Sequence, residues 1–417
     1  MNERGIPVER LLGLVPEQPE FDALRQAILR ASITDPALAW SSSRVYATLN
    51  MRAVPHSTLP AMLAEAESES RKRSKRLFDA FAIALSGLTD GDVEARAMQL
   101  VSLGEAAEAA DHWRDAVVFY FFARALTDDG ASAELRALVL RRHGRALLQT
   151  GEFRGSAAAY GWSLTVAVAA GDTLGELTAA TGLGNVATLQ GRWAEAEQWY
   201  RQALARCEPS FRRERGQLLI NLSMTAREQN RLDEAADRLA EAERIWSDLS
   251  STDRSGWCNN KGLLELRRER IGEAEQCFTQ ALSLAVSHFD HAMILDNLAD
   301  TAARAGDLDL AQQRAREAEE HAIALGSPRV LAEVYVRLGV LCRMRCDPHG
   351  AAFFEKALDL CRGQAYPLLH GTALLEFGRF RREQGDDQAA RTLLQEALRV
   401  FAEIGAASHA ATVREEL

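Results

Sequence analysis

Three asparagines recur at one position of a repeated unit in this chain. Asn221, Asn260 and Asn297 each stand two residues before a small residue that recurs along the sequence. A primary amide carries both a hydrogen-bond donor and an acceptor, so a row of amides at a regular spacing can bind the peptide groups of an extended segment. The same amides could instead bond to the neighbouring unit and stabilise a stack of helices. The sequence leaves both roles open.

The sequence contains no convincing motif for catalysis or cofactor binding. The stretch GLGNVA at residues 182–187 superficially matches the dinucleotide-binding fingerprint, but that motif must follow a β-strand, and here both glycines lie inside a predicted helix. The sequence contains no phosphate-binding loop, no HExxH motif and no GxSxG motif. We therefore predict no catalytic residue and no cofactor. An enzyme whose groups converge from distant units, near residues 70–125, is an alternative.

One group of side chains could bind a metal. Cys342, Cys346, His349 and Cys361 together offer three thiolates and an imidazole to zinc. Their spacing matches no standard zinc finger, and cysteine is a common small core residue in helical arrays. We therefore predict no metal site, and six irregularly spaced cysteines indicate a reducing compartment.

These residues must be positioned by helices. Eight units, 37 to 40 residues apart, follow one another from Gly104 onward. Each unit has a small residue in a first helix, and this residue is Gly104, Gly144, Gly184, Ser223, Gly262, Ala299, Gly339 or Gly378. A second small residue and then a larger side chain follow in a second helix. In the seventh unit the pattern fits after a shift of one residue, which aligns Phe354 and Ala357 with the others.

The spacing indicates antiparallel helical hairpins that stack on one another. Residues three and four apart lie on one face of a helix. A hairpin cannot cover its own apolar face, so each must pack on the next, with small residues where backbones approach and one large side chain in the remaining gap.

This pattern resembles the tetratricopeptide repeat (TPR) family. Gly184, Gly191, Trp193, Ala196, Tyr200 and Ala203 follow the family pattern, as do Gly378, Gly385, Ala390 and Ala397. The period exceeds the usual ~34 residues, and the units lack the proline that often ends them. Such long units are similar to those of kinesin light chain, LGN-type adaptors, MalT-like sensors and Rap-type peptide receptors.

The resemblance implies a concave surface lined by the first helices. Peptide-binding relatives use asparagines there, which implies that role for Asn221, Asn260 and Asn297 and also for Asn185. The basic residues Arg142, Arg145, Lys261 and Arg337 would favour an acidic segment or a free carboxylate if they face this surface.

Composition agrees with a folded helical protein. The chain has 417 residues, of which 26% are charged and 47% hydrophobic, and its net charge is −10. This charge argues against a nucleic-acid partner, because a protein that binds nucleic acid needs a concentrated basic surface. No apolar run is long enough to span a membrane, and the N-terminal residues do not read as a secretory signal. We expect a cytoplasmic protein.

The first ~95 residues do not show the repeat. They read as helices separated by Pro36 and Pro55, and we expect a small helical bundle packed on the first hairpin. The consecutive aromatic residues 119–122 support this, because a helix that is aromatic all round must be covered on more than one side. A basic cluster at residues 71–76 could bind an acidic partner or nucleic acid. A helix-turn-helix in this region is a further alternative.

The sequence thus predicts an all-α, right-handed superhelical solenoid of about eight hairpins. The bundle spans residues 1–95, the solenoid residues 96–404, and a capping helix residues 405–417. The predicted function is a non-enzymatic adaptor or regulatory scaffold that binds a peptide or protein segment in the concave groove. The alternative is a peptide-sensing regulator whose solenoid changes shape when it binds its ligand.

Overall fold

The computed structural model describes residues 93–110, 112–127, 131–245, 251–361 and 366–417. These ranges contain seventeen α-helices and no β-strand. The helices are α1 Val93–Ala109, α2 Trp113–Thr127, α3 Ala133–Gln149, α4 Phe153–Ala170, α5 Thr173–Leu189, α6 Trp193–Arg206, α7 Arg212–Glu228, α8 Leu232–Ile245, α9 Ser251–Arg267, α10 Ile271–Leu284, α11 His288–Arg304, α12 Leu308–Leu325, α13 Pro328–Met344, α14 Gly350–Cys361, α15 Pro367–Glu383, α16 Asp387–Glu403 and α17 Ala407–Glu416. The predicted N-terminal bundle up to residue 92, the basic cluster and the helix-turn-helix alternative lie outside the described residues.

The helices pair in chain order. Each odd-numbered helix from α1 to α15 is the first helix of a hairpin, and the even-numbered helix after it is the second. The chain divides into two compact units, Met1–Ala179 and Ala180–Leu417, with the boundary inside α5. The helices α6 to α16 of the second unit alternate as the repeat predicts, and α17 follows the last hairpin.

A glycine and an aromatic ring share one space in most hairpins. A Cβ atom built on Gly104, Gly184, Gly262 or Gly339 would lie 2.4 to 2.7 Å from the ring of Tyr120, Tyr200, Phe278 or Phe354, respectively. Where the first helix carries a larger residue, the second carries a smaller one, as in the pairs Ser223 with Leu239 and Ala299 with Ala315. The large ring is therefore replaced by a smaller side chain where the first helix carries a Cβ atom, as close packing requires. The contact of Phe354 with Gly339 confirms the one-residue shift in the seventh unit.

One residue with positive φ makes the turn between the two helices of a hairpin. It stands seven residues after the small residue of the first helix, and the described turns place Gly151, Gly191, Asn230, Glu269, Gly306, Cys346 and Gly385 there. A left-handed residue ends the first helix and reverses the chain. Glycine adopts this conformation without a steric penalty, whereas Glu269 at φ 61° and Cys346 at φ 56° do so at a cost.

Candidate functional site

The predicted asparagines belong to a larger set of amide side chains on three successive first helices. This set, here called the amide strip, consists of Gln217 and Asn221 on α7, Asn259 and Asn260 on α9, and Asn297 on α11. Asn221 is buried, Gln217 is exposed, and the other three are partly buried. Gln217 and Asn259 were missed by the sequence analysis, although each lies within four residues of a predicted asparagine, on the same helix.

The hydrogen bonds of the strip show both roles that the sequence left open. Asn297 Nδ2 donates to Asn259 Oδ1 at 2.9 Å, a bond between neighbouring hairpins. Gln217 Nε2 donates to Asn221 Oδ1 at 3.1 Å, and Asn260 Nδ2 donates to the carbonyl oxygen of Gly256 at 2.9 Å. Each of these two bonds stays inside one helix. The strip is therefore held in place by its own contacts.

The strip retains hydrogen-bonding capacity. Among the described residues, five amide groups of the strip have no hydrogen-bond partner, namely Asn221 Nδ2, Asn259 Nδ2, Gln217 Oε1, Asn260 Oδ1 and Asn297 Oδ1. The strip thus offers two donor groups and three acceptor groups on adjacent first helices. An extended peptide presents alternating N–H and C=O groups that match this mixture.

Asn185 has a different place. Its Oδ1 accepts a hydrogen bond of 2.8 Å from the hydroxyl of Tyr200 on α6, and that hydroxyl also lies 3.0 Å from Thr188 Oγ1. The amide therefore holds the ring that fills the α5/α6 hairpin. Tyr120 uses its hydroxyl in a similar way, donating to Glu108 Oε1 at 2.8 Å. The predicted ligand role of Asn185 stays a prediction, and its observed contact is structural.

Three of the four predicted basic residues are paired with carboxylates. Arg142 and Arg145 on α3 both contact Glu108 on α1, each at 3.6 Å. Arg337 on α13 contacts Asp296 of the preceding first helix at 3.3 Å. Lys261 has no carboxylate partner among the described residues and lies 4.8 Å from the ring centroid of Trp257. Of the four predicted cations, Lys261 is therefore the one whose charge is not neutralised by a carboxylate among the described residues, and it follows Asn260 of the strip in the chain.

A charged cluster borders the strip at its α11 end. Arg337 contacts both Asp296 and Asp300 of α11. Burial lowers the pKa of Arg337, but the two aspartates outweigh this and raise it above its ordinary value, so the guanidinium stays protonated.

On the same helix as Arg337, Glu333 Oε1 accepts from Arg329 at 2.6 Å, while its Oε2 is buried without a hydrogen-bond partner. Burial raises the pKa of Glu333.

The cysteines that suggested a zinc alternative differ in their exposure to solvent. Cys361 is buried and Cys346 is exposed. Burial, with Glu333 nearby, raises the pKa of Cys361 to about 12, which disfavours a thiolate. In the ranges that the structure describes, no group of three or more His, Cys, Asp or Glu side chains is arranged to hold a metal ion. The zinc alternative gains no support from this geometry.

Comparison with known proteins agrees with the geometry of the hairpins. Residues 175–248, which include nearly all of the α5/α6 hairpin and the whole α7/α8 hairpin, match the family model described as tetratricopeptide repeat. These residues are tetratricopeptide repeats. No curated protein has a sequence that matches this chain.

Solved TPR-type structures show the same fold. The chain is similar to a Rap protein complexed with Competence and Sporulation Factor, with a TM-score of 0.59 and 12% identity over 96% of this chain and 99% of that one. It is also similar to the apo form of the quorum sensor NprR from B. thuringiensis, with a TM-score of 0.51 and 13% identity over 91% of this chain and 99% of that one. The fold is an all-α solenoid of TPR-type hairpins. No described helix is long and apolar enough to cross a membrane.

Proposed function

We propose that this TPR-type protein is a non-enzymatic interaction module that binds an extended peptide or protein segment along the amide strip. The strip lies on the first helices α7, α9 and α11. Its amides would bind the peptide groups of the segment, and the side chains between them would select its sequence. The rigid stack of hairpins supplies a preformed surface, which lowers the entropy cost of binding.

One observation carries this proposal. Two amide donors and three amide acceptors on adjacent first helices have no partner among the described residues, although the other amide groups of the strip are bonded. These groups are available to a ligand, while the bonded groups hold the strip in place. The Asn297–Asn259 bond fixes two members of the strip at the α9–α11 junction, so the free groups are held at a defined spacing.

The fold supports the same class of function. The TPR match and the similarity to the Rap and NprR structures place the chain among solenoids of helical hairpins, an architecture whose extended surfaces serve binding. The Rap structure contains a bound factor. In our proposal the corresponding ligand of this chain is a segment with peptide groups accessible along its length.

Selection from a random decapeptide library displayed on phage tests the proposal. Peptides that bind the wild-type protein are synthesised, and their affinities are measured by isothermal titration calorimetry. We expect the Asn221→Ala/Asn260→Ala variant to lose at least ten-fold in affinity for peptides of different sequence, because the amides bind the backbone. Asn297 is left intact, so that the bond between α9 and α11 persists.

The matched control removes two amides from a second helix. Gln276 and Gln280 are exposed on α10, and Gln276→Ala/Gln280→Ala should bind the selected peptides as the wild type does. Circular dichroism establishes that both variants are folded. Equal affinity of the wild type and the Asn221→Ala/Asn260→Ala variant would remove the strip from the binding surface, and a library without any binder would refute the proposed function itself.

A further inference from the structure

The turn between α5 and α6 contacts the C-terminal end of the chain. A Cβ atom built on Gly191 in this turn would lie 3.2 Å from Leu368 Cδ1, 3.4 Å from Ala406 Cβ and 3.6 Å from Ile404 Cδ1. Leu368 is on α15, and Ile404 and Ala406 form the α16–α17 turn. The contact joins residues about two hundred positions apart within the unit Ala180–Leu417. The equivalent turn glycines Gly306 and Gly385 have nothing within 4 Å.

The last helix lies within electrostatic range of two further first helices. Burial lowers the pKa of His409 on α17, and the charges of Glu228 and Arg267 also act on this imidazole. Glu228 is the last residue of α7 and Arg267 the last residue of α9. The α16–α17 turn thus contacts the α5–α6 turn, and α17 lies within electrostatic range of the last residues of α7 and α9; together these two segments are residues 404–416. We call these residues the C-terminal strap.

The strap is held at its other end by charge. Arg379 Nε on α15 donates to both carboxylate oxygens of Glu416, at 2.9 and 3.1 Å. Ala410 and Val413 are buried in the apolar cluster of the last hairpin. The strap is thus anchored on α15 and reaches toward the ends of helices that carry the amide strip. Asn221 and Asn260 each lie seven residues before the end of their helix, about 10 Å along its axis.

We propose that the C-terminal strap closes the unit Ala180–Leu417 against the α5–α6 turn, and that its opening controls the entry of a segment to the amide strip. The second half of this proposal rests on the proposed function. The contact at Gly191 is small and apolar, so its loss costs little free energy compared with the packing of a hairpin. A small contact of this kind can open without unfolding of the unit, and a ligand that fits only one state shifts the equilibrium.

A designed disulfide tests the closure directly. The built Cβ of residue 191 and the Cβ of Ala406 are 3.4 Å apart, close to the roughly 3.5–4.5 Å of a disulfide. Cysteine fits the turn, because Cys346 occupies the equivalent position with φ 56°. We expect Gly191→Cys/Ala406→Cys, in a Cys346→Gly background, to form this bond during mild oxidation. Peptide mapping by mass spectrometry identifies it. The control pair Gly306→Cys/Ala406→Cys should remain reduced, and equal oxidation of the two pairs would overturn the closure.

Binding kinetics test the control of entry. With a peptide selected on the wild type, the oxidised Gly191→Cys/Ala406→Cys protein should show association and dissociation at least ten-fold slower than its reduced form. Unchanged rates in the locked protein would overturn the gating.

A third measurement needs no peptide, so it separates failure of the strap from failure of the proposed function. Gly191→Asn retains a residue that tolerates positive φ but places a side chain against Leu368 and Ala406. Hydrogen exchange of residues 407–416 should accelerate in this variant and not in Gly306→Asn. Equal exchange in both variants would show that the strap is not held at Gly191, even if a peptide binds the strip.

Discussion

Phe278 occupies the space that a side chain on Gly262 would need. A Cβ atom built on Gly262 would lie 2.6 Å from Phe278 Cε1, well inside van der Waals contact. Phe278 itself has no exposed surface, so the ring cannot move aside without displacing α9 from α10. The packing of the α9/α10 hairpin therefore depends on a pair of positions rather than on the glycine alone.

Gly262→Ala should destabilise the protein even though alanine favours helix. Overpacking against Phe278 costs about 1–3 kcal/mol, which outweighs the gain of about 1 kcal/mol in helix propensity. Gly256 lies on the same helix with nothing within 4 Å, so Gly256→Ala should instead stabilise by about 0.5–1 kcal/mol. Urea denaturation measures both. A double variant, Gly262→Ser/Phe278→Leu, copies the Ser223 and Leu239 pair and should recover stability. If it is no more stable than Gly262→Ser alone, the two positions are not coupled.

Glu269→Gly should stabilise the protein. Glu269 has φ 61° in the α9–α10 turn, and relief of this strain, less the added freedom of glycine in the unfolded chain, should give about 0.5–1 kcal/mol. Gly306→Ala makes the opposite change in an equivalent turn at φ 89° and should destabilise by about 1 kcal/mol. Midpoints of urea denaturation show whether each substitution raises or lowers the stability. A loss of stability in Glu269→Gly would mean that its side chain contributes more than the backbone strain costs.

The repeat positions were predictable because they depend on local volume and helical period. Gly339 with Phe354 is one such pair, identified after a shift of one residue. The partners of the polar side chains were not predictable. Asn260 and Asn297 share one repeat position, yet the first bonds within its own helix and the second bonds to Asn259. The choice depends on which residue the preceding hairpin presents, about 38 positions earlier in the chain.

The turn conformations and the contact of the C-terminal strap were also not predictable from the sequence. The positive φ at Cys346 could not be predicted from the residue type, because the position is not a glycine. The two packed helices impose the conformation of this turn. The contact of Gly191 with Leu368 depends on the accumulated rotation of several hairpins. A sequence period gives the length of each hairpin and not this rotation.

Arg337→Ala should be strongly destabilising. Arg337 is 21% exposed and joins Asp296 and Asp300, which are 13% and 19% exposed, so its removal leaves two carboxylates poorly solvated and close together. We expect a loss of about 2–4 kcal/mol. Arg399 and Glu403 form an exposed ion pair in the same unit, and Arg399→Ala should cost less than about 1 kcal/mol. Chemical denaturation compares the two. Equal losses would show that Arg337 acts only as a surface charge.

His143 should make the stability of the protein fall at acidic pH. Burial lowers the pKa of His143 to about 3, with Arg124 acting in the same direction, and its Nδ1 has no hydrogen-bond partner. The fold therefore holds the neutral imidazole, whereas the unfolded chain binds a proton near its ordinary pKa of about 6.5. The stabilisation is complete above that value and is lost as pH falls below it, by about 2 kcal/mol at pH 5.

Thermal unfolding followed by circular dichroism between pH 7.5 and pH 5 measures this effect. His143→Leu should reduce the decline, because no imidazole is left at this position to be protonated on unfolding. His349 has an 87% exposed side chain, so His349→Leu should leave the decline unchanged. The neutral form of His143 is favoured by its apolar neighbours, among them Phe121 with its ring centroid at 6.4 Å, and those contacts persist with leucine. A decline of equal size in wild type and His143→Leu would assign the acid sensitivity to other groups.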